Sequence, residues 1–322
     1  MLCGIWVIRL FPQDGAITIH IDNVSKSYSP KQPLAVNGVS LEIRDGEVLC
    51  LVGLNGAGKT TLIRMTSGII LPSRGEITID GSSIVKDKLE ASRRVGWVPE
   101  YPNFEPNARP LPLMRYFAGF YNLRGREAEE RIRESLDSVG LSDYLNRKLS
   151  GYSQGMKKRF SIAESLIGDP QNILFDETFN GLDPEGVVFI RGLINNLRNQ
   201  GKAILLSSHI LTEVQGIADR VAIISHGTLL KVISRNDLKN LGKDTIFITV
   251  DNPDDNILSL LGKYGEPSWK DNEIIIKDLV VGKEEYTDIS RDLIKQGYML
   301  RHFQSAGENL EEYFFSLVGE KL

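Results

Sequence analysis

The sequence predicts an α/β fold, a mostly parallel sheet with helices packed on it, followed by a small α+β domain. Three observations predict it. From residue 17 to about 235, short apolar strand patterns alternate with helical ones, which favours parallel strands joined by helices. A glycine-rich loop, "GLNGAGKT" (53–60), stands between a strand pattern and a helical one. Near residue 236 the pattern restarts and runs for about 85 residues, enough for a small domain.

In chain order, "ITIHIDNV" (17–24) alternates apolar and polar residues like a strand. "VNGVSLEIRDGEVLCLVG" (36–53) reads as two strands divided by the Asp45-Gly46 turn. The glycine-rich loop then opens the helical "LIRMTSGI". "SRGEITIDGSSI" reads as a strand pair around Asp80-Gly81, and "RRVGWVPE" as another strand. Pro99, Pro102, Pro106, Pro110 and Pro112 predict a constrained loop over 99–112. Helical periodicity dominates from about 113 to 168. "NILFDE" (172–177) and "KAILLSSH" (202–209) read as short buried strands, and "RVAIISHGTLLKV" (220–232) as a closing hairpin. Beyond 236, "TIFITV", "EIIIKDL" and "YMLRHF" read as strands; "NILSLLGKYG", "YTDISRDLIKQG" and "NLEEYFFSLVGE" read as helices.

Composition narrows the function classes. The chain of 322 residues can bury a proper core. A net charge of −4 implies no broad nucleic-acid footprint. Cys3 and Cys50 make no disulfide scaffold and fit a reducing, cytoplasmic setting. No apolar run approaches the roughly 18–20 residues that span a bilayer. The N-terminal "MLCGIWVIRLF" is apolar but short, without a basic leader or a small-residue cleavage site, so it is not read as a signal peptide. Residues 1–16 are read as an extension, with a membrane-touching or partner-docking segment as the alternative.

The loop at 53–60 fits G-x-x-x-x-G-K-[ST] in the strand-to-helix context that this motif requires. Its glycines let the backbone curl so that several N–H groups face phosphates. Lys59 offers a point charge to the β- and γ-phosphates, and the Thr60 hydroxyl a hard oxygen for Mg²⁺. "ILFDE" (173–177) is a buried strand ending in two carboxylates. Asp176 at its end can hold the Mg²⁺ shell, and Glu177 is placed to polarise an attacking water. His209, after "KAILLSS", is a candidate for the γ-phosphate from the side opposite Lys59, whereas His20, His226 and His302 read as structural. Together these pieces make a phosphate-loop NTPase. A second candidate anion loop, "YSQGM" (152–156), precedes another helical pattern.

In their order, these motifs resemble the nucleotide-binding subunit of ATP-binding-cassette (ABC) transporters, over about residues 17–235. The resemblance implies an ABC ATPase core with an antiparallel β subdomain and a helical subdomain at about 101–170, then the C-terminal α+β domain from 236 to 322. It implies that Tyr28 stacks on adenine and that Gly53, Leu54, Asn55, Gly56, Ala57, Gly58, Lys59, Thr60 and Thr61 cradle the phosphates. "YSQGM" matches the family's signature sequence and "NGLDP" (180–184) its loop that crosses to a partner. Two subunits would then pack head to tail, Ser153 and Gly155 binding the γ-phosphate of the partner's ATP, Asp183 coupling the two sites and His209 acting as the switch histidine. ATP and Mg²⁺ are the implied cofactors. A separately encoded membrane permease and a second ATP-binding subunit are the implied partners, with the chain peripheral on the cytoplasmic face of the membrane.

Three positions depart from the family's pattern. Glu100 stands where glutamine is usual; it can still ligate Mg²⁺ but adds negative charge near the phosphates, so altered metal or nucleotide affinity is expected. Gln154 replaces a glycine of the signature, and Thr178 a proline after Glu177. "ENLEEYFFSLVGE" is similar to the closing helix of the drug-export and sodium-extrusion branch; its alternative is an amphipathic terminal helix with Leu310, Phe314 and Leu317 on one face. Tyr116, Phe117, Phe120 and Tyr121 are candidate permease contacts, with helix core as the alternative. The competing functions are a soluble ABC-type ATPase acting on ribosomes or DNA and a small-molecule phosphotransferase. The single cassette, without a CxxC pair or heptad run, disfavours the former; the signature and His209 disfavour the latter.

Overall fold

The computed structural model describes residues 15–214, 216–240, 245–254, 256–271, 273–282, 285–306 and 310–319. The extension expected over 1–16 lies outside these but for its last two residues. The chain divides into two compact units, one up to Ile233 and one from Ser234.

The first unit holds two sheets. Strands β1 (Ile17–Lys26) and β2 (Val36–Arg44) belong to an antiparallel sheet, whereas β3 (Val48–Val52), every residue of it buried, enters a second one. Helix α1 (Lys59–Thr66) follows, then β4 (Arg74–Ile79) and β5 (Ser82–Ser83), which complete the antiparallel order β2-β1-β4-β5. The β4–β5 hairpin turns on Asp80 (φ 46°) and Gly81 (φ 79°), the paired left-handed backbone that an Asp-Gly turn supplies. Helix α2 (Lys88–Arg93) leads into β6 (Val95–Val98).

Residues 99–109 form the expected loop, but helix α3 (Pro110–Phe120) begins three residues earlier than expected, on a proline. The first turn of a helix has no intrahelical partners for its N–H groups, so Pro110 and Pro112 cost it no hydrogen bond. Helices α4 (Gly125–Ser138) and α5 (Gln154–Leu166) pack with α3. The α3 aromatics divide: Tyr116 and Phe120 are 63% and 59% exposed, with rings 5.1 Å apart, so neither is core. Tyr121 instead lies against Gly168.

The α5 carboxyl of Glu164 is pushed up to about 7 by burial. The unfolded group ionises near 4.5, so the folded state holds its proton more tightly. Its contribution to stability is therefore full below pH 4.5 and lost as pH rises through 7. Glu164→Gln is expected to stabilise the chain at pH 8 by about 2–3 kcal/mol, and at pH 5 by less than about 1 kcal/mol. Denaturant melts at the two pH values measure this; an equal gain at both would contradict it.

Strand β7 (Asn172–Phe175), helix α6 (Pro184–Asn199), strand β8 (Ala203–Ser208), helix α7 (Leu211–Val214) and strands β9 (Arg220–Ser225) and β10 (Thr228–Ser234) complete the unit. The second sheet has the order β10-β9-β3-β8-β7-β6, with parallel pairing from β9 through β6.

The second unit has α8 (Arg235–Asn240), β11 (Thr245–Val250), α9 (Asn256–Leu261), β12 (Glu266–Lys270), β13 (Glu273–Lys277), α10 (Tyr286–Lys295), β14 (Leu300–Ala306) and α11 (Leu310–Val318). Its sheet is antiparallel, order β12-β13-β11-β14. Alternate residues Ile246, Ile248 and Val250 bury against Ile257, Ile289 and Leu293 of the helices. Strand β12 escapes the sequence reading because it contains Pro267; as the edge strand it can lack one N–H.

Candidate functional site

The site forms where four parallel strands end at one level. Val52 of β3 pairs with Ser208 of β8, Leu206 of β8 with Phe175 of β7, and Phe175 with Val98 of β6. Whatever follows each strand therefore emerges along one edge, the usual place for ligands in parallel α/β sheets. The loop at 53–58, the 99–100 turn, Asp176-Glu177 and His209 all meet there.

The loop closes on Gly58, whose φ is +106° and whose Cβ, were there one, would lie 2.5 Å from the Ala35 carbonyl oxygen. Only glycine fits, and α1 starts at the next residue. Lys59, 5% exposed, turns its ammonium back into the loop. It donates to the carbonyls of Gly53 (2.7 Å) and Leu54 (3.1 Å) and pairs with Glu177 Oε1 at 3.1 Å. In front lies a cavity of 260 Å³, lined by Ala35, Asn55, Gly56, Ala57, Gly58, Lys59, Thr60, Thr61, Glu100, Glu177 and Asn180.

The Thr60 hydroxyl donates to Asp176 Oδ1 at 3.1 Å. Ser207 Oγ donates to the same oxygen (2.9 Å) and accepts from the Glu177 N–H (3.0 Å). One β8 hydroxyl thus fixes both acids that follow β7. Glu177 stands at φ 46°, a backbone that a non-glycine residue holds only under restraint. Its side chain is held at both oxygens, by Lys59 and, through Oε2, by His209 Nδ1 at 2.8 Å. An ionised carboxylate only accepts, so this contact selects the tautomer with its proton on Nδ1. Burial raises the Asp176 carboxyl above its ordinary range; the hydrogen bonds from Ser207 and Thr60 act against this, and the charges of Glu177 and Glu100 add to it.

Such a cluster suits a divalent cation. Thr60 and Asp176 offer two hard oxygens beside the cavity, and Mg²⁺ is habitually held by one or two protein oxygens together with phosphate and water. Among the described residues no three His, Cys, Asp or Glu side chains converge to hold an ion. Glu100 lines the cavity, with Oε1 accepting from Asn180 Nδ2 at 3.1 Å.

The remaining sequence-predicted residues lie at different distances from this centre. Tyr28 is 57% exposed, its hydroxyl 3.4 Å from Thr61 Oγ1, which puts the ring beside the loop. Ser153 and Gly155 do not line the phosphate cavity. Ser153 is exposed at the start of α5, and its hydroxyl accepts from the Met156 N–H at 3.2 Å. Asp183 is exposed and caps α6 through the Gly186 N–H (2.8 Å). Thr178 is fully buried, and its hydroxyl oxygen has no hydrogen-bond partner among the described residues.

Three residues of this site have a contact that the sequence reading does not foresee: Ser207, Asn180 and Lys158. The ammonium of Lys158, a residue 4% exposed, sits on the carbonyls of Pro99 and Glu100, and burial lowers it to about 8. Asn180 opens "NGLDP", read only as a loop that crosses to a partner, and its bond to Glu100 is not part of that reading; Ser207 and Lys158 are found through what the neighbouring strand or helix brings beside them.

Residues 36–180 match the family described as ABC transporter. The chain is 33% identical over 309 residues to the uncharacterised ABC transporter ATP-binding protein YhcH of Bacillus subtilis, covering 94% of this chain and 96% of that protein. It is 29% identical to the linearmycin resistance ATP-binding protein LnrL of the same organism, covering 94% and 99%. A solved ATP-binding subunit of an ABC transporter superposes with a TM-score of 0.64 at 28% identity, over 69% of this chain and 92% of that one.

Proposed function

The chain belongs to the ABC transporter family as an ATP-binding, ATP-hydrolysing subunit, and on that footing we propose that it is one half of a head-to-tail cassette pair driving a separate membrane permease. The observation that carries this reading is the separation of its two phosphate loops. The Lys59–Glu177 pair lines one cavity, with His209 behind it on Glu177, and exposed Ser153 and half-buried Gly155 stand outside that cavity. A γ-phosphate held on Lys59 by one subunit would meet Ser153 and Gly155 of the other. ATP then joins the pair, and hydrolysis removes the group that both subunits hold, a switch driven by differential binding.

In this reading Tyr28 stacks on adenine, and Gly53 to Thr61 bind the phosphates. Thr60 and Asp176, with Glu100 beside them, hold Mg²⁺, which supplies charge neutralisation of the phosphate oxygens when bound. Glu177 accepts a proton from the attacking water once the γ-phosphate has drawn Lys59 and His209 to itself. His209 then reports γ-phosphate occupancy through the same Nδ1 that holds Glu177. Asp183 couples the two sites.

Among the described residues no helix is long and apolar enough to cross a membrane, and the proposed permease is a separate chain. The exposed pair Tyr116 and Phe120 on α3 is the proposed contact, on the cytoplasmic face of the membrane. The similarity to a protein named for linearmycin resistance supports export as the direction. Co-expression with a neighbouring-gene membrane protein of about six apolar spans tests the contact. Co-purification is expected for the unchanged chain and is expected to be lost in Tyr116→Ala/Phe120→Ala.

The pairing itself is tested by solution mass. A hydrolysis-blocked Glu177→Gln chain is expected to run as a monomer without ATP and as a dimer with it. Adding Ser153→Glu, which sets a carboxylate against the partner's phosphate, is expected to leave a monomer that still binds ATP. A dimer that persists in the double variant would sink the assignment of Ser153 in trans.

A further inference from the structure

Glu100 raises a charge problem that the fold answers. It sets a carboxylate on the wall of a cavity that takes polyphosphate, near Asp176 and Glu177. Left alone, that charge would repel the ligand. Helix α5 supplies the opposite charge. Lys158 is 4% exposed, and its ammonium donates to the backbone carbonyls of Glu100 and, at 3.4 Å, of Pro99. Its charge is felt together with those of Glu100, Asp176 and Glu177. Glu100, Asn180 and Lys158 also share the wall of a second cavity of 730 Å³, so Glu100 borders the phosphate cavity and the cavity that Lys158 lines.

A buried ammonium needs compensating charge or several acceptors. Two carbonyls and nearby carboxylates provide them here. The same contacts tie the 99–100 turn to the first turns of α5, so the lysine also fixes where the Glu100 backbone lies.

We propose that Lys158 is a positioning residue for ATP binding, whose buried cation offsets Glu100 so that a carboxylate can stand beside the phosphates. The two residues act as a charge pair whose members move ATP binding in opposite directions. Lys158→Gln leaves Glu100 uncompensated, and ATP binding weakens. Glu100→Gln leaves Lys158 uncompensated, and ATP binding tightens. Replacing both restores neutrality. The inference rests on the cavity being the ATP site.

A double-substitution cycle tests it, with equilibrium binding of a fluorescent ATP analogue as the readout, which needs no turnover. Lys158→Gln is expected to raise Kd about tenfold. Glu100→Gln in the same chain is expected to bring Kd back to within about threefold of the unchanged protein. Lys158→Arg, which keeps the charge, is expected to bind like the unchanged protein. If Lys158→Gln does not fold, the Glu100→Gln chain decides: Kd is expected to fall severalfold, and an unchanged or higher Kd overturns the proposal. A double variant that binds no better than Lys158→Gln also overturns it, because a merely structural lysine would not be rescued by removing a distant charge. No binding by the unchanged chain would remove the site reading itself. Binding by the unchanged chain with a Kd that Lys158→Gln does not move would remove this inference alone.

Discussion

Glu177→Gln is expected to lower ATP hydrolysis by about a thousandfold while leaving ATP binding within a few-fold of the unchanged chain. The substitution keeps the shape of the side chain and removes its basicity. Its carbonyl oxygen can still face Lys59 in the place of Oε1. Its amide can still face His209, with the imidazole switching tautomer so that Nδ1 accepts. The cavity is thus preserved, and what disappears is the group that takes a proton from water. Single-turnover phosphate release and equilibrium ATP binding separate the two effects. A loss of less than about tenfold in release would mean that another group activates the water, since a positioned general base contributes at least about a hundredfold.

Lys59→Ala is expected to do two distinct kinds of damage. The first is to ligand: a charge-assisted donor to the phosphates is worth about 1.5–3 kcal/mol, so ATP affinity should fall by about ten- to a hundredfold. The second is to the fold. Glu177 is 6% exposed and pairs with Lys59 at 3.1 Å. Removing one member of a buried pair leaves the other charge uncompensated, which costs about 3 kcal/mol or more. The two effects part company in Lys59→Ala/Glu177→Gln. There stability should return, because no buried charge is stranded, while ATP affinity stays low. Denaturant melts and ATP titrations on the single and double variants check this. A double variant no more stable than Lys59→Ala would show that the pair is not what stabilises the empty site.

Much of the site was legible because its residues lie in short unbroken stretches. "GLNGAGKT" holds loop, cation and hydroxyl within eight residues, and "ILFDE" puts two acids directly after a buried strand. Periodicity found the strands, because burial on one or both faces leaves a visible apolar pattern. It failed at β12, where Pro267 argues against a strand unless the strand is known to be an edge. It also placed the α3 start too late, because prolines read as breakers unless they fall in the first turn. The sequence leaned towards core for Tyr116 and Phe120, and both are exposed. An aromatic on an isolated helix carries no sign of which face the rest of the fold will cover.

By itself, the sequence determined a phosphate loop with Lys59 and Thr60 and a strand end with Asp176 and Glu177, and it offered Ser153 and Gly155 as a candidate second anion loop. These are local facts, fixed by neighbouring residues and by what each element must bury. Only the tertiary structure decided that Ser207 of one strand holds both acids of the next, that Lys59 and His209 grip the two oxygens of Glu177, and that Lys158 sits under Glu100. Those contacts join residues dozens of positions apart. They exist because parallel strands in register bring four chain turns to one edge, where buried charges and hydroxyls must find partners or be left unsatisfied.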